Sequence, residues 1–229
     1  MKNLSLLVLH GWGSSEKSWQ KIKNLLEKKE IEVILIDLPG FGKEPPPKKV
    51  FSTKDYALFL NKFLEKKGIK KINLLGHSFG GCVAGFFSFL FPQKVEKLIL
   101  VGTPSLREKP FFKKKILFFS KKTKKFLPSF FKKILSEIFS SKDYKKSKGI
   151  MREIFKKVTK ENLKEIAPKI KVKTLILHGR KDKIVPLKEA LFLKKEIKNS
   201  EIEILSCAHS PHLEIPEIFA KKIEKFLKI

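Results

Sequence analysis

The 229-residue sequence is short of arginine, of cysteine and of long apolar runs, and each shortage excludes something. Its two cysteines, Cys82 and Cys207, cannot build a disulfide framework, so a cytoplasmic protein with two inert, buried thiols is expected. The longest apolar stretch, 82–91, is about half of the ~20 residues that a bilayer-spanning helix needs. Met1 and Lys2 followed by an apolar run outwardly resemble a signal peptide, but no acceptable cleavage site follows. Only three of the 51 basic residues are arginines: Arg107, Arg152 and Arg180. Arginine's planar fork is what reads phosphates and base edges, so its scarcity argues against nucleic acid as a partner. There is no internal repeat.

What is abundant is lysine. With 51 Lys+Arg against 23 Asp+Glu the formal net charge is +28. Much of this excess fits a compositional skew that spreads lysine over solvated faces, but the distribution is uneven. Residues 105–173 hold 23 Lys+Arg against 6 Asp+Glu, a net +17. Apolar residues at 42% and aromatics at 11% are enough to fill a core, which excludes a disordered chain.

Six short runs, 4–10, 32–37, 71–76, 95–101, 173–178 and 201–205, are nearly continuous in Leu, Ile and Val. Such runs suit parallel strands buried on both faces. Helical patterns lie between them at 17–29, 53–67, 81–91, 187–197 and 216–227, with Thr53 as a candidate N-cap and Pro92 as a stop. The alternation predicts an α/β fold: about six mostly parallel strands with helices on both faces. Residues 104–170 break the rhythm. They contain no β-type run, only Lys/Phe-rich helical pieces, and residues 111–139 carry eight Phe, at 111, 112, 118, 119, 126, 130, 131 and 139. The expected organisation is a core of 1–103 and 171–229 with a helical cap of 104–170 over the strand ends, where ligands bind.

The chemistry centres on Gly76-His77-Ser78-Phe79-Gly80, a G-x-S-x-G pattern between a predicted strand and a predicted helix. A turn this sharp strains the serine backbone, leaves no room for side chains at 76 and 80, and presents the hydroxyl above the sheet. A serine hydroxyl needs a base. Of the five histidines, His77 adjoins Ser78 and points away, while His10 and His178 at strand ends are expected to hydrogen-bond to loops. That leaves the loop after the last strand, which carries His209 and His212. A carboxylate must hold the base in one tautomer, and the chain order Ser, Asp/Glu, His is satisfied by Asp182 after the penultimate strand. Two main-chain N–H groups must hold an oxyanion. The candidates are Phe79, just after the serine, and Trp12 in His10-Gly11-Trp12-Gly13.

Together, HGWG, Asp37-Leu38-Pro39-Gly40-Phe41-Gly42, GHSFGG, GRKDKIVP and AHSPHLEIPEIF resemble an α/β-hydrolase of the serine esterase type. The resemblance covers nearly the whole chain outside the cap. It implies His209 as the base, because Ala208-His209-Ser210-Pro211-His212-Leu213-Glu214-Ile215-Pro216 matches the family's GH-x-P-x-x-E-x-P tail, with Ala208 in place of the usual glycine. It also implies that the 37–42 loop is structural, and that no cofactor or metal is used. The chain starts directly at the HGWG strand, which leaves about six strands, all parallel.

Within the family, HGWG, the GFG loop and a short helical cap are most similar to the pimeloyl-[acyl-carrier protein] methyl ester esterases of biotin synthesis. That similarity implies a small-molecule or carrier-bound acyl ester as substrate, and an acidic acyl carrier protein as partner of the basic cap. Thioesterase, lactonase, carbon–carbon hydrolase and perhydrolase reactions use the same triad. From another class, a non-enzymatic binder of nucleic acid or anionic membrane would use the Lys/Phe insertion but leaves the catalytic motifs unexplained. An esterase whose cap makes peripheral contact with a membrane stays compatible with the charge.

Overall fold

The structure, a computed structural model, describes residues 4–106 and 147–228. Six strands form one sheet: β1 Leu4–Leu9, β2 Ile31–Ile36, β3 Ile72–His77, β4 Val95–Val101, β5 Lys173–Gly179 and β6 Ser200–Leu205. Their order is β2-β1-β3-β4-β5-β6 and every neighbouring pair is parallel. The α/β expectation holds, with strand limits within a residue or so of those anticipated.

The sheet is covered on both sides because alternate residues of each strand face opposite layers. In β1, Leu7 and Leu9 enter one core and Leu6 and Val8 the other. The first core receives α2 (Thr53–Lys66), α3 (Phe79–Leu90) and α5 (Leu187–Glu196), through Leu60, Leu64, Val83, Phe87 and Leu193. The second receives α1 (Gln20–Glu27) and α6 (Pro216–Lys228), through Ile22, Leu26, Phe219, Ile223 and Phe226. Each fully buried side chain of this kind contributes ~1.5–3 kcal/mol over its exposed state, so the two layers hold the sheet's position firmly.

One helix start differs from expectation. Ser52, not Thr53, caps α2: its Oγ accepts from Asp55 N, and Asp55 Oδ2 accepts from Ser52 N at 2.7 Å. The reciprocal pair needs the carboxylate three positions after the cap, a spacing that Ser52 has and Thr53 lacks. Pro92 does follow the end of α3 and opens a 3-10 turn.

The expected cap lies largely outside the described residues, as do all eight of its Phe between 111 and 139. Of 147–170, α4 (Gly149–Val158) and the turn Ala167–Lys169 are helical, and Ile154, Val158, Leu163 and Ile166 join the first core. Ser105 O accepts from Leu163 N at 3.0 Å, so this return limb is laced to the residues just after β4. Glu161 accepts from Thr53 N at 2.7 Å and ties the same limb to the start of α2.

Candidate active site

Ser78 is the single residue between β3 and α3. Its φ of 52° and ψ of −115° are strained for a side-chain-bearing residue, and its N–H donates to Val101 O at 2.8 Å. The strain persists because the glycines around it allow close packing. A Cβ on Gly76 would overlap the carbonyl of Gly80, and one on Gly80 would overlap the carbonyls of Leu9 and His10. The turn therefore puts the serine at the carboxyl end of the sheet, between β1 and β4.

Asp182 follows β5 in sequence and His209 follows β6, so both reach the same rim. His209 Nδ1 and Asp182 Oδ2 are 2.7 Å apart, with the Asp182 side chain fully buried and that of His209 13% exposed. The other carboxylate oxygen, Oδ1, accepts from Ile184 N at 2.8 Å and Val185 N at 2.9 Å. Burial alone would push the Asp182 carboxyl up. The His209 hydrogen bond and the main-chain donors outweigh it and hold the group below its ordinary value. The His209 ring sits over Gly102, the residue after the Ser78-bonded carbonyl of Val101. A hydrogen bond from Ser78 Oγ to His209 Nε2 is not among those formed by the described residues. The structure thus brings Asp182 and His209 into direct contact, and Ser78 is tied through its N–H to Val101 O, one residue before the Gly102 that the His209 ring covers.

His212, the other candidate in the tail, faces elsewhere. Its ring lies flat on Trp19, with centroids 4.1 Å apart and planes at 2°, and burial together with nearby His209 pushes its pKa down to about 4. His10 behaves as expected at a loop: Nε2 accepts from Leu38 N at 3.0 Å, so Nδ1 donates to Gly11 O at 2.8 Å. His178 does not. Neither ring nitrogen makes a hydrogen bond of good geometry, and burial at the end of β5 lowers its pKa although Asp182 opposes that. The 37–42 loop is structural: Asp37 accepts from Glu16 N at 2.7 Å and from Lys43 N at 2.9 Å.

Trp12 lies in the loop after β1, closed by a Ser14 N to Gly11 O bond of 3.2 Å. Its indole meets Phe41, Phe79 and Phe155 edge-on at 4.9, 5.3 and 5.0 Å, so α4 and the β1 loop form one aromatic wall beside the serine. Phe79 opens α3, where a main-chain N–H has no acceptor within the helix. Both cysteines are buried, and burial raises the Cys207 thiol to about 11, far from a reactive thiolate. Among the described residues no three His, Cys, Asp or Glu side chains are grouped to hold a metal ion, and no helix is long and apolar enough to cross a membrane.

Two contacts were not anticipated. His77 Nε2 lies 2.9 Å from the carbonyl oxygen of His209, and Glu214 accepts from Ala208 N at 2.8 Å and Ser210 N at 3.1 Å. The placement of Glu214 five residues after His209 in the tail was the available signal for the second. Nothing in the sequence marks the first.

A family model described as the alpha/beta hydrolase fold matches residues 5–137. A pimeloyl-[acyl-carrier protein] methyl ester esterase of Wigglesworthia glossinidia brevipalpis is 32% identical, over 99% of this chain and 94% of that protein. A 2-hydroxy-6-oxononadienedioate/2-hydroxy-6-oxononatrienedioate hydrolase of Pseudomonas putida is 27% identical, over 97% of this chain and 87% of its own. Among solved structures, an esterase from Exiguobacterium antarcticum superposes with a TM-score of 0.79 at 22% identity, covering 99% of this chain and 92% of that one.

Proposed function

The chain belongs to the alpha/beta hydrolase family, and we propose that within it this protein is a serine hydrolase cleaving a carboxylic ester through an acyl-enzyme. The observation that carries the reading is the 2.7 Å His209–Asp182 pair at the rim where the strained Ser78 turn ends. Once Ser78 Oγ rotates to about 3 Å from His209 Nε2, the imidazole takes its proton as the oxygen attacks the ester carbonyl. Trp12 and Phe79 N–H groups hold the resulting oxyanion, each such donor supplying ~3 kcal/mol of transition-state stabilisation. Asp182 keeps the Nδ1–H tautomer and stabilises the imidazolium. His209 then protonates the leaving alcohol, and water repeats the cycle on the acyl-serine.

For the substrate, we favour a carrier-bound acyl ester such as a pimeloyl-[acyl-carrier protein] methyl ester. Two things support it: the activity of the 32% identical esterase from Wigglesworthia glossinidia brevipalpis, and the net +17 of 105–173, which suits an acidic carrier. In this reading 104–170 is a cap over the core formed by 1–103 and 171–229, and the enzyme works in the cytoplasm.

The test is turnover of graded p-nitrophenyl esters, thioesters and lactones by wild type and Ser78→Ala, with the phosphonylated residue located by mass spectrometry. Ester hydrolysis that falls by at least ~10³-fold in Ser78→Ala, with the adduct on Ser78, supports the proposal. Undiminished turnover in that variant rejects it. A preference for thioesters or lactones would keep the triad and replace the substrate class.

A further inference from the structure

His77 is the last residue of β3, one peptide bond from Ser78, and its ring is also one hydrogen bond from the main chain of His209. We propose that His77 is a positioning residue, a strut that sets the spacing between the serine and the histidine base, with Glu214 holding the base loop from the solvent side. This rests on the Ser78–His209 chemistry proposed above.

The loop around His209 is held at successive main-chain groups. Cys207 O accepts from Lys181 N at 2.9 Å, the N–H groups of Ala208 and Ser210 donate to Glu214, and His209 O accepts from His77. Asp182 fixes the rotation of the imidazole, and these bonds fix where its backbone stands. Because His209 O can only accept, His77 must present Nε2–H, which leaves Nδ1 facing Gly11. A Cβ there would come within 3.0 Å of Nδ1, so the glycine loop leaves room for this ring.

The surroundings also keep His77 neutral. Burial, then His212 and His209, lower its pKa well below the ordinary value. Its centroid is 4.9 Å from that of His209. A charged ring there would oppose the imidazolium that His209 must become, whereas a neutral donor does not.

The experiment compares His77→Leu, His77→Gln, Glu214→Gln and Ser78→Ala with wild type for kcat and KM on a p-nitrophenyl ester and for phosphonylation rate, with folding checked by circular dichroism. His77→Leu should lose on the order of 10²-fold in kcat with KM nearly unchanged, the signature of misplaced groups. His77→Gln, whose amide can reach the same carbonyl, should recover at least about tenfold of that loss. Glu214→Gln has one acceptor oxygen for two donors and should lose about tenfold in kcat. A folded His77→Leu with wild-type kcat, or a Gln variant no better than the Leu variant, overturns the strut. If His77→Leu does not fold, Glu214→Gln at the solvent-exposed site decides, and wild-type kcat there overturns the proposal. Activity lost in Ser78→Ala but kept in His77→Leu sinks only the strut, whereas wild type that neither hydrolyses esters nor labels at Ser78 sinks the functional reading with it.

Discussion

Ser105 and Glu189, 84 residues apart in sequence, are joined by two hydrogen bonds to one carboxylate oxygen: the Ser105 N–H donates to Glu189 Oε2 at 2.7 Å and its hydroxyl at 2.9 Å. Leu106 N donates to the same oxygen. The pair anchors the chain just after β4 to the first turn of α5, and both residues are buried. Glu189→Ala would strand these donors away from water. A loss of about 2–3 kcal/mol is expected, which for a chain of this size lowers Tm by roughly 5–10 °C. Glu189→Gln keeps one acceptor and should lose less. Thermal melts of both variants test the ranking.

Gly80→Ala should damage stability and catalysis together. Its Cβ would overlap the Leu9 and His10 carbonyls, which are main-chain atoms with no rotamer to yield, at the end of the strand that leads to Trp12. Overpacking of this kind costs about 1–3 kcal/mol. The same displacement moves the Ser78 turn against the Trp12 loop, so kcat should fall on the order of 10²-fold. Gly85→Ala is the control, because its Cβ would meet only the end of the Leu163 side chain, at 3.1 Å. Denaturant midpoints and ester turnover for the two variants should separate clearly, and equal behaviour would reject the close-approach account.

Acid should destabilise the fold through His212. Unfolded, this histidine titrates near its ordinary 6.5, and folded it is held to about 4 by burial on Trp19 and by His209. Between those values the unfolded chain binds the extra proton, so stability falls as pH falls, by about 1.4 kcal/mol per pH unit for this group. His77, His10 and His178 are depressed in the same direction and add to the slope. His212→Phe keeps the stack on Trp19 and removes one titration. Urea midpoints between about pH 4.5 and 6.5 should then fall less steeply than in wild type. An unchanged slope would show that His212 is not a source of the acid sensitivity.

The strands were legible because burial on both faces leaves an unbroken apolar run, as in Leu6 to Leu9, which no other element of that length requires. The rim residues were legible for a related reason. In an all-parallel sheet the residues just after successive strands share one edge, so Trp12, Ser78, Asp182 and the loop carrying His209 and His212 could be grouped from strand ends, while the choice of His209 came from the resemblance of the tail. The Ser52 cap is also legible in its spacing to Asp55, one residue before the expected Thr53. What could not be read is contact made across the fold. The His77–His209 bond spans 132 residues and depends on the relative heights of β3 and the loop after β6, which no local pattern encodes. The same holds for Glu189, whose position in a charged helix gives no hint that it turns inward to meet Ser105.

Asp182→Asn offers the sharpest separation of fold from chemistry. The carboxylate has two duties on two different oxygens: Oδ1 closes the turn by accepting from Ile184 N and Val185 N, and Oδ2 meets His209 Nδ1. In the asparagine variant the carbonyl oxygen can keep the turn, and the amide NH₂ then faces the imidazole. A donor at that place selects the tautomer with its proton on Nε2, and that nitrogen can no longer accept the serine proton. Folding should be nearly unaffected while kcat drops on the order of 10³–10⁴-fold. Asp182→Ala loses the turn as well as the tautomer, so it should be both inactive and less stable. Circular dichroism melts beside ester turnover distinguish the two. An Asp182→Asn enzyme with near-wild-type kcat would mean that His209 does not depend on this carboxylate, and the proposed proton path would fail at its second member.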